Sequence, residues 1–222
     1  MPTLVHSDVA TVEAASPAQI INFAIGSGTN RLLVVAIAWY TGSTTTVGVT
    51  YDSVPLDRAI REPNADSEWG AELWYMVDPP TGSADVVVSW SPAGYGGVVA
   101  SEWTGVHQST PIGDTDAIAE GGVDVTLSRT LTTTSGDTVV TSCGYWDNNL
   151  TPTKGASDVL IAYSDATPQN EENECASSYQ DATGASVTTT WTPGSGAVVG
   201  PMVAMVLKQA AGAAVDGFMW LA

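Results

Sequence analysis

The strongest constraint on this chain is that its sequence says much the same thing twice. The segment Arg31-Leu-Leu-Val-Val-Ala-Ile-Ala-Trp-Tyr40 has an echo in Asp137-Thr-Val-Val-Thr-Ser-Cys-Gly-Tyr-Trp146. Ala84-Asp-Val-Val-Val-Ser-Trp-Ser-Pro92 is echoed by Ala185-Ser-Val-Thr-Thr-Thr-Trp-Thr-Pro193. Each of these later blocks leads into a Gly-rich stretch and an apolar strand, Gly96–Trp103 in one copy and Gly196–Val206 in the other. The offset is 106 residues at the first match and 101 at the second. A repeat of this length is a whole set of strands, so the copies are expected to form two halves of one all-β body.

The strand signals agree with that expectation. Leu32–Tyr40 is a near-continuous apolar run of strand length, as in a strand covered on both faces. Thr44–Asp52 alternates, with Val47, Val49 and Tyr51 expected on one side, and Asp52-Ser53 reads as a hairpin turn. Residues 58–67 read as a polar loop. Trp69–Val77 is a strand stopped by Asp78-Pro-Pro-Thr-Gly82, where prolines fix φ and Gly accepts a turn. Ala84–Trp90 and Gly97–Trp103 follow as strands, and 104–124 reads as an acidic connector. The second half is expected to contain strands near 123–131, 138–145, 157–163, 177–181, 186–191 and 197–207. Helical periodicity with caps is lacking. The fold expected is therefore all-β: a jelly-roll-type β-sandwich over residues 1–208, with halves of about 10–113 and 123–208 and a C-terminal tail at 209–222. Two separate immunoglobulin-like domains are the alternative.

Charge narrows the partners. The chain has 24 acids against 6 bases, a formal net charge of −18. Such a surface repels phosphate backbones and anionic lipid, so neither nucleic acid nor membrane is an expected partner. The start, Met1-Pro-Thr-Leu-Val-His6, lacks the basic and apolar regions of a secretory signal, so synthesis in the cytoplasm is expected. Cys143 and Cys175 read first as small core residues, and a disulfide between them stays open if the protein matures outside the cell.

Chemistry has few footholds. The histidines are His6, near a terminus expected to be poorly ordered, and His107, in a turn-rich segment. Widely scattered Cys and His do not match a zinc site, and no cofactor is expected. Glu102, inside an apolar strand beside Trp103, is the most unusual acid, and an edge or outward-facing position is its simplest explanation. Two acidic groups, Asp114, Asp116, Glu120 and Asp124, and Asp165, Glu171, Glu172, Glu174 and Asp181, have oxygen chemistry suited to calcium but no EF-hand spacing, so solvated loops are the simpler reading. The adjacent aromatics Trp39-Tyr40, Trp74-Tyr75 and Tyr145-Trp146 each place one ring on either face of a strand. The outer ring is expected under loops or in an interface more readily than against a sugar. Phe218, Met219, Trp220 and Leu221 form an apolar cluster in the tail, suited to docking on a partner or back onto the body.

Several runs resemble a known module. These are Asn30-Arg-Leu-Leu-Val-Val, Val49–Leu56, Glu72–Gly82, Val98–Gly113, Gly136-Asp-Thr-Val-Val140 and Val203–Lys208. Over residues 10–208 the chain resembles a jelly-roll β-sandwich module of phage and bacterial surfaces, as in stand-alone phage capsid decoration (cement) proteins. The resemblance carries no catalytic residues. It implies a structural virion protein on the capsid surface, bound to the major capsid protein or another virion protein, and a homo-oligomer with a trimer favoured. A carbohydrate-binding or host-adhesion module of a tail or fibre is the alternative, and would show an exposed row of Trp and Tyr.

Overall fold

Val, Ile, Thr and aromatic residues at alternate positions make strands because they fit a pleated surface that is buried on one or both faces. The computed structural model describes residues 1–40, 45–63, 69–119, 122–123, 125–146, 152–164, 173–194 and 198–211. The first half supplies β1 (Thr3–Ala15), β2 (Ala18–Ile25), β3 (Leu32–Tyr40), β4 (Thr45–Tyr51), β5 (Val54–Pro55), β6 (Asp57–Pro63), β7 (Trp69–Val77), β8 (Gly82–Ser91) and β9 (Gly94–Thr104). The second supplies β10 (Ile112–Ile118), β11 (Gly122–Val123), β12 (Leu127–Thr132), β13 (Thr138–Trp146), β14 (Thr153–Lys154), β15 (Val159–Ser164), β16 (Asn173–Asp181), β17 (Ser186–Thr192) and β18 (Val198–Leu207).

These strands form four antiparallel sheets. In the first half, β1-β9-β3-β7-β6 faces β2-β8-β4-β5. In the second, β10-β18-β13-β16-β15 faces β12-β17-β14, with β11 added on β18. The two large sheets share one order: β1, β9, β3, β7 and β6 correspond to β10, β18, β13, β16 and β15. The small sheets correspond in the same way, β2-β8-β4 to β12-β17-β14. Even a defect is repeated. The ladder of β6 on β7 slips between Arg58 and Ile60, and that of β15 on β16 slips between Leu160 and Ala162. A bulge conserved in place between two copies is a feature of the repeat, since it re-aims the side chains around it.

The sheets stack in four layers with apolar filling between each. In the first half Phe23, Val49, Tyr51, Val86, Val88 and Trp90 meet Leu33, Val35, Ile37, Trp39 and Val98. In the second, Leu127, Leu131, Val187 and Trp191 meet Val139, Cys143, Tyr145, Met202 and Val206. The third filling lies between the large sheets, where Leu32, Val34, Ala36, Leu73, Val99 and Trp103 meet Val140, Cys175, Val203, Met205 and Leu207. Here β1 lies over β15 and β6 over β10, as a two-fold relation between the halves requires. The approach is close. The Ser142 hydroxyl donates to the Ile37 carbonyl across the two sheets at 3.0 Å. A Cβ on Gly97 would overlap Ser164 Oγ and stand 2.6 Å from Cys175 N.

The all-β expectation and the two similar halves are thus present. The structure adds that each half is a two-sheet sandwich and that a shared layer joins them. Three local expectations are corrected. Residues 57–63 are the edge strand β6, part of the segment read as a polar loop, because its two arginines share a face with Trp74 and Glu72 of β7. The second half opens at β10, inside the segment read as a connector, which leaves 105–111 as the link. Val47 is 65% exposed, apart from Val49 and Tyr51, because a bulge between Thr46 and Gly48 turns it outward. The Asp52-Ser53 hairpin is as read, with both residues at positive φ, 49° and 62°.

Candidate functional site: two buried carboxylates in the first sandwich

Every second residue of β7 faces the first sandwich, so Glu72 shares its face with Trp74 and Met76. Its carboxylate is fully buried. The indole of Trp39 on β3 donates to Oε1 at 3.1 Å, and that of Trp74 donates to Oε2 at 2.7 Å. Two guanidiniums from edge strand β6 close the open side. Arg61 Nε stands 3.5 Å from Oε1, and Arg58 Nη1 stands 4.0 Å from Oε2. Each also lies over an indole, Arg61 at 5.2 Å from the Trp39 ring and Arg58 at 5.4 Å from the Trp74 ring. The bulge at Ala59 puts both arginines on this face. Trp39 in turn lies flat over Gly70, where any Cβ would collide with the ring. Thr46 of β4 lies beside the carboxylate without reaching hydrogen-bond geometry. Burial pushes the Glu72 carboxyl above its ordinary 4.5, and the Thr46 and Trp74 groups and the two guanidiniums hold it back only in part.

The second acid is Glu102. The sequence suggests an edge or outward position for it, and the structure corrects this. Strand β9 lies between β1 and β3, and Glu102 is 1% exposed on the face that looks into the first sandwich. Oε1 accepts the Gly26 N–H at 2.9 Å, and Oε2 stands 3.1 Å from His6 Nδ1. His6 is therefore an ordered strand residue, contrary to expectation. It pairs with Glu102 in the β1–β9 ladder and stacks on Phe23 at 4.6 Å. Glu102 ties the first strand to the turn after β2, a role that needs a carboxylate and cannot be read from one strand alone.

The remaining expected residues go elsewhere. His107 accepts the Thr110 N–H at 3.1 Å in the link between halves, a hydrogen-bonded loop histidine. Asp114 accepts the N–H groups of Thr115 and Thr132, and Asp116 accepts that of Ala117 and pairs with Arg129 at 3.5 Å. Asp181 accepts the Thr138 hydroxyl at 2.8 Å. These carboxylates serve strand ends and edges. Asp124, Glu120, Asp165, Glu171 and Glu172 lie outside the described residues, as does the tail cluster Phe218, Met219, Trp220 and Leu221. Cys143 and Cys175 are free and buried, as core residues. Cys143 faces the second sandwich and Cys175 faces the shared layer. Burial pushes the Cys175 thiol up to about 12 and raises Cys143 too, so both stay protonated and unreactive.

The pair Trp74-Tyr75 divides as the strand period requires. Trp39 and Trp74 fill the first sandwich, and Tyr75 turns to the layer between halves. Trp103 meets Tyr179 edge-on across that layer at 5.2 Å. Trp39, Trp74, Trp90, Trp103 and Trp191 are all buried, so the five build no sugar-stacking platform.

Glu72 with its two arginines does not stand out in the sequence. The i, i+2 spacing of Glu72 and Trp74 is a signal for it, but Arg58 and Arg61 lie in a segment that reads as a loop. Chemically, the two sites neutralise charge and satisfy donors. The carboxylates look into one sandwich from strands on opposite sides of β3, and each is occupied by its own partners. Compared with family models, with curated proteins and with solved structures, the chain matches none.

Proposed function

We propose that the chain is a structural virion protein, a decoration or cement protein on the surface of a phage head, working without catalysis. The observation that carries this reading is the four-layer stack. Three apolar fillings lock the sheets together, and the buried acids inside are spent on holding strands rather than converging on a cleft. The strand order β1-β9-β3-β7 opposite β2-β8-β4-β5 supports the jelly-roll part of the reading. A net charge of −18 suits a protein displayed in many copies.

On this reading the work is mechanical. Apolar surface buried against the major capsid protein, or another virion protein, stabilises the assembled shell over its parts by mass action. The protein is made in the host cytoplasm and joins the particle as a homo-oligomer, with a trimer favoured by the resemblance. The test is to add purified protein to heads that lack it. Saturable binding at a fixed ratio to shell protein, with a higher temperature of genome release, is the expected result. Heads that neither bind it nor gain stability overturn the reading.

A further inference from the structure

The two-fold relation between the halves gives the stack two equivalent flanks, one where β1 lies over β15 and one where β10 lies over β6. Equal topology makes each a control for the other, and they differ in sequence. The β6/β10 flank carries Asp57, Arg58, Arg61, Glu62, Asp114 and Asp116 on its two strands. That is how exposed edges are kept from sticking. The β1/β15 flank is built otherwise. Val5 is 51% exposed, Val9 37% and Val159 48%, and Leu4, Leu160 and Ile161 are half-buried beside them. Along β1 and β15 the carboxylates are Asp8, whose Oδ1 is turned back to accept the Val9 N–H at 2.8 Å, and Glu13 towards the far end of β1. The strands touch here, with Ser7 Oγ donating to the Ile161 carbonyl at 3.4 Å.

We propose that the β1/β15 flank is a self-association surface whose occupant is a second copy of this chain. Charge decides between partners. A basic partner would be met by acids, and this flank is nearly free of them. Two chains of −18 each repel over most of their surfaces, so they approach at least cost where both are uncharged. Exposed valines supply the apolar contact. The β1 of one copy can meet β1 of the next to make a pair, or β15 of the next to close a ring. The inference does not rest on the virion reading, since self-association and attachment to heads are measured separately.

The test uses the full chain in light scattering coupled to size exclusion, across a dilution series. The wild type should have the mass of an oligomer. A Val5→Glu, Val9→Glu, Val159→Glu variant should fall to the monomer mass, with a dissociation constant raised at least about a hundredfold, while keeping its circular dichroism. Val47→Glu with Val54→Glu, equally exposed but off this flank, should retain the oligomer. Hydrogen exchange on the wild type checks the surface without mutation: amides of 4–9 and 159–161 should gain protection as concentration rises. A monomeric wild type, a triple variant of wild-type mass, control valines with the same effect, or protection gained only elsewhere overturns the proposal.

Discussion

The two halves share strand order, bulge position and layer arrangement, yet their interiors are filled with different chemistry. By ladder register, Trp39, Arg58, Arg61, Glu72 and Trp74 correspond to Tyr145, Leu160, Tyr163, Ala176 and Ser178. Where the first sandwich closes its side with two guanidiniums, two indoles and a carboxylate, the second uses rings. Tyr163 meets Tyr145 at 6.2 Å and Trp191 at 6.3 Å, both edge-on. Glu102 likewise corresponds to Val206, since each pairs with the matching residue of β3 or β13. The fold therefore does not require the ionic filling. Apolar alternation and register build the sandwich, and the charged cluster is one of at least two ways to seal it. That agrees with the general finding that a buried ion pair and a well-packed apolar set are near equals, whereas half of an ion pair is not tolerated.

Breaking the cluster should give the largest effect. Glu72→Ala leaves two buried indole donors without their acceptor and removes the carboxylate facing two part-exposed arginines, and is expected to cost about 2–5 kcal/mol in urea unfolding. Installing the second half's whole set, with Trp39→Tyr, Arg58→Leu, Arg61→Tyr, Glu72→Ala and Trp74→Ser, should recover most of that loss. If the full set is no better than Glu72→Ala alone, the halves are not interchangeable and the comparison fails.

Next in size is the layer between the halves. Gly97→Val drives a side chain into Ser164 and Cys175, and overpacking of this kind costs about 1–3 kcal/mol. Val or Ala at Gly48, where a Cβ meets nothing within 4 Å, is the neutral control. Equal melting temperatures for the two would contradict the close approach of the sheets. Glu102→Val copies the second half into the first and leaves the Gly26 N–H without its acceptor. A loss of about 1–2 kcal/mol is expected, together with faster exchange of the Gly26 amide. An unchanged exchange rate would show that the carboxylate does not hold that turn.

Much of this fold is legible in the sequence, and the reason is period. Leu32–Tyr40 and the echoed blocks declare themselves because burial of both faces leaves a continuous apolar run, and because the repeat supplies a second reading of each strand. β6 is not legible, since Asp57-Arg-Ala-Ile-Arg-Glu-Pro63 shows charge where a strand usually shows alternation. Its arginines are positioned by stacking on indoles that lie elsewhere in the chain. Val47 departs from the expected side for a similar reason, because a bulge shifts the period by one and Gly48 is its single local sign in Thr45–Tyr51. The Glu102 site is the harder case. Its partners, His6 and Gly26, come from two other segments, so the position of the acid could be noticed while its role could not.

The smallest expected effect is also the one that isolates Glu72 as an acid. Its carboxyl sits above the ordinary 4.5 in the folded chain, chiefly through burial. Between that ordinary value and the folded value, the folded state binds more protons than the unfolded state. Stability from this group is therefore fully present below the unfolded value and is lost as the pH rises through the folded one. The other acids of a −18 chain add their own pH dependence, so the wild type alone cannot report on Glu72. Glu72→Gln keeps the shape and stays neutral at every pH, which makes it the reference. Urea midpoints of both proteins should be compared from about pH 4 to about pH 8. The wild type should do best relative to the Gln variant at the acid end, decline against it as the pH rises, and then level off. A difference that is flat, or that grows in favour of the wild type toward neutral pH, would mean that Trp39, Trp74 and the two arginines outweigh burial, and that the first sandwich is sealed by an ion pair in the full sense.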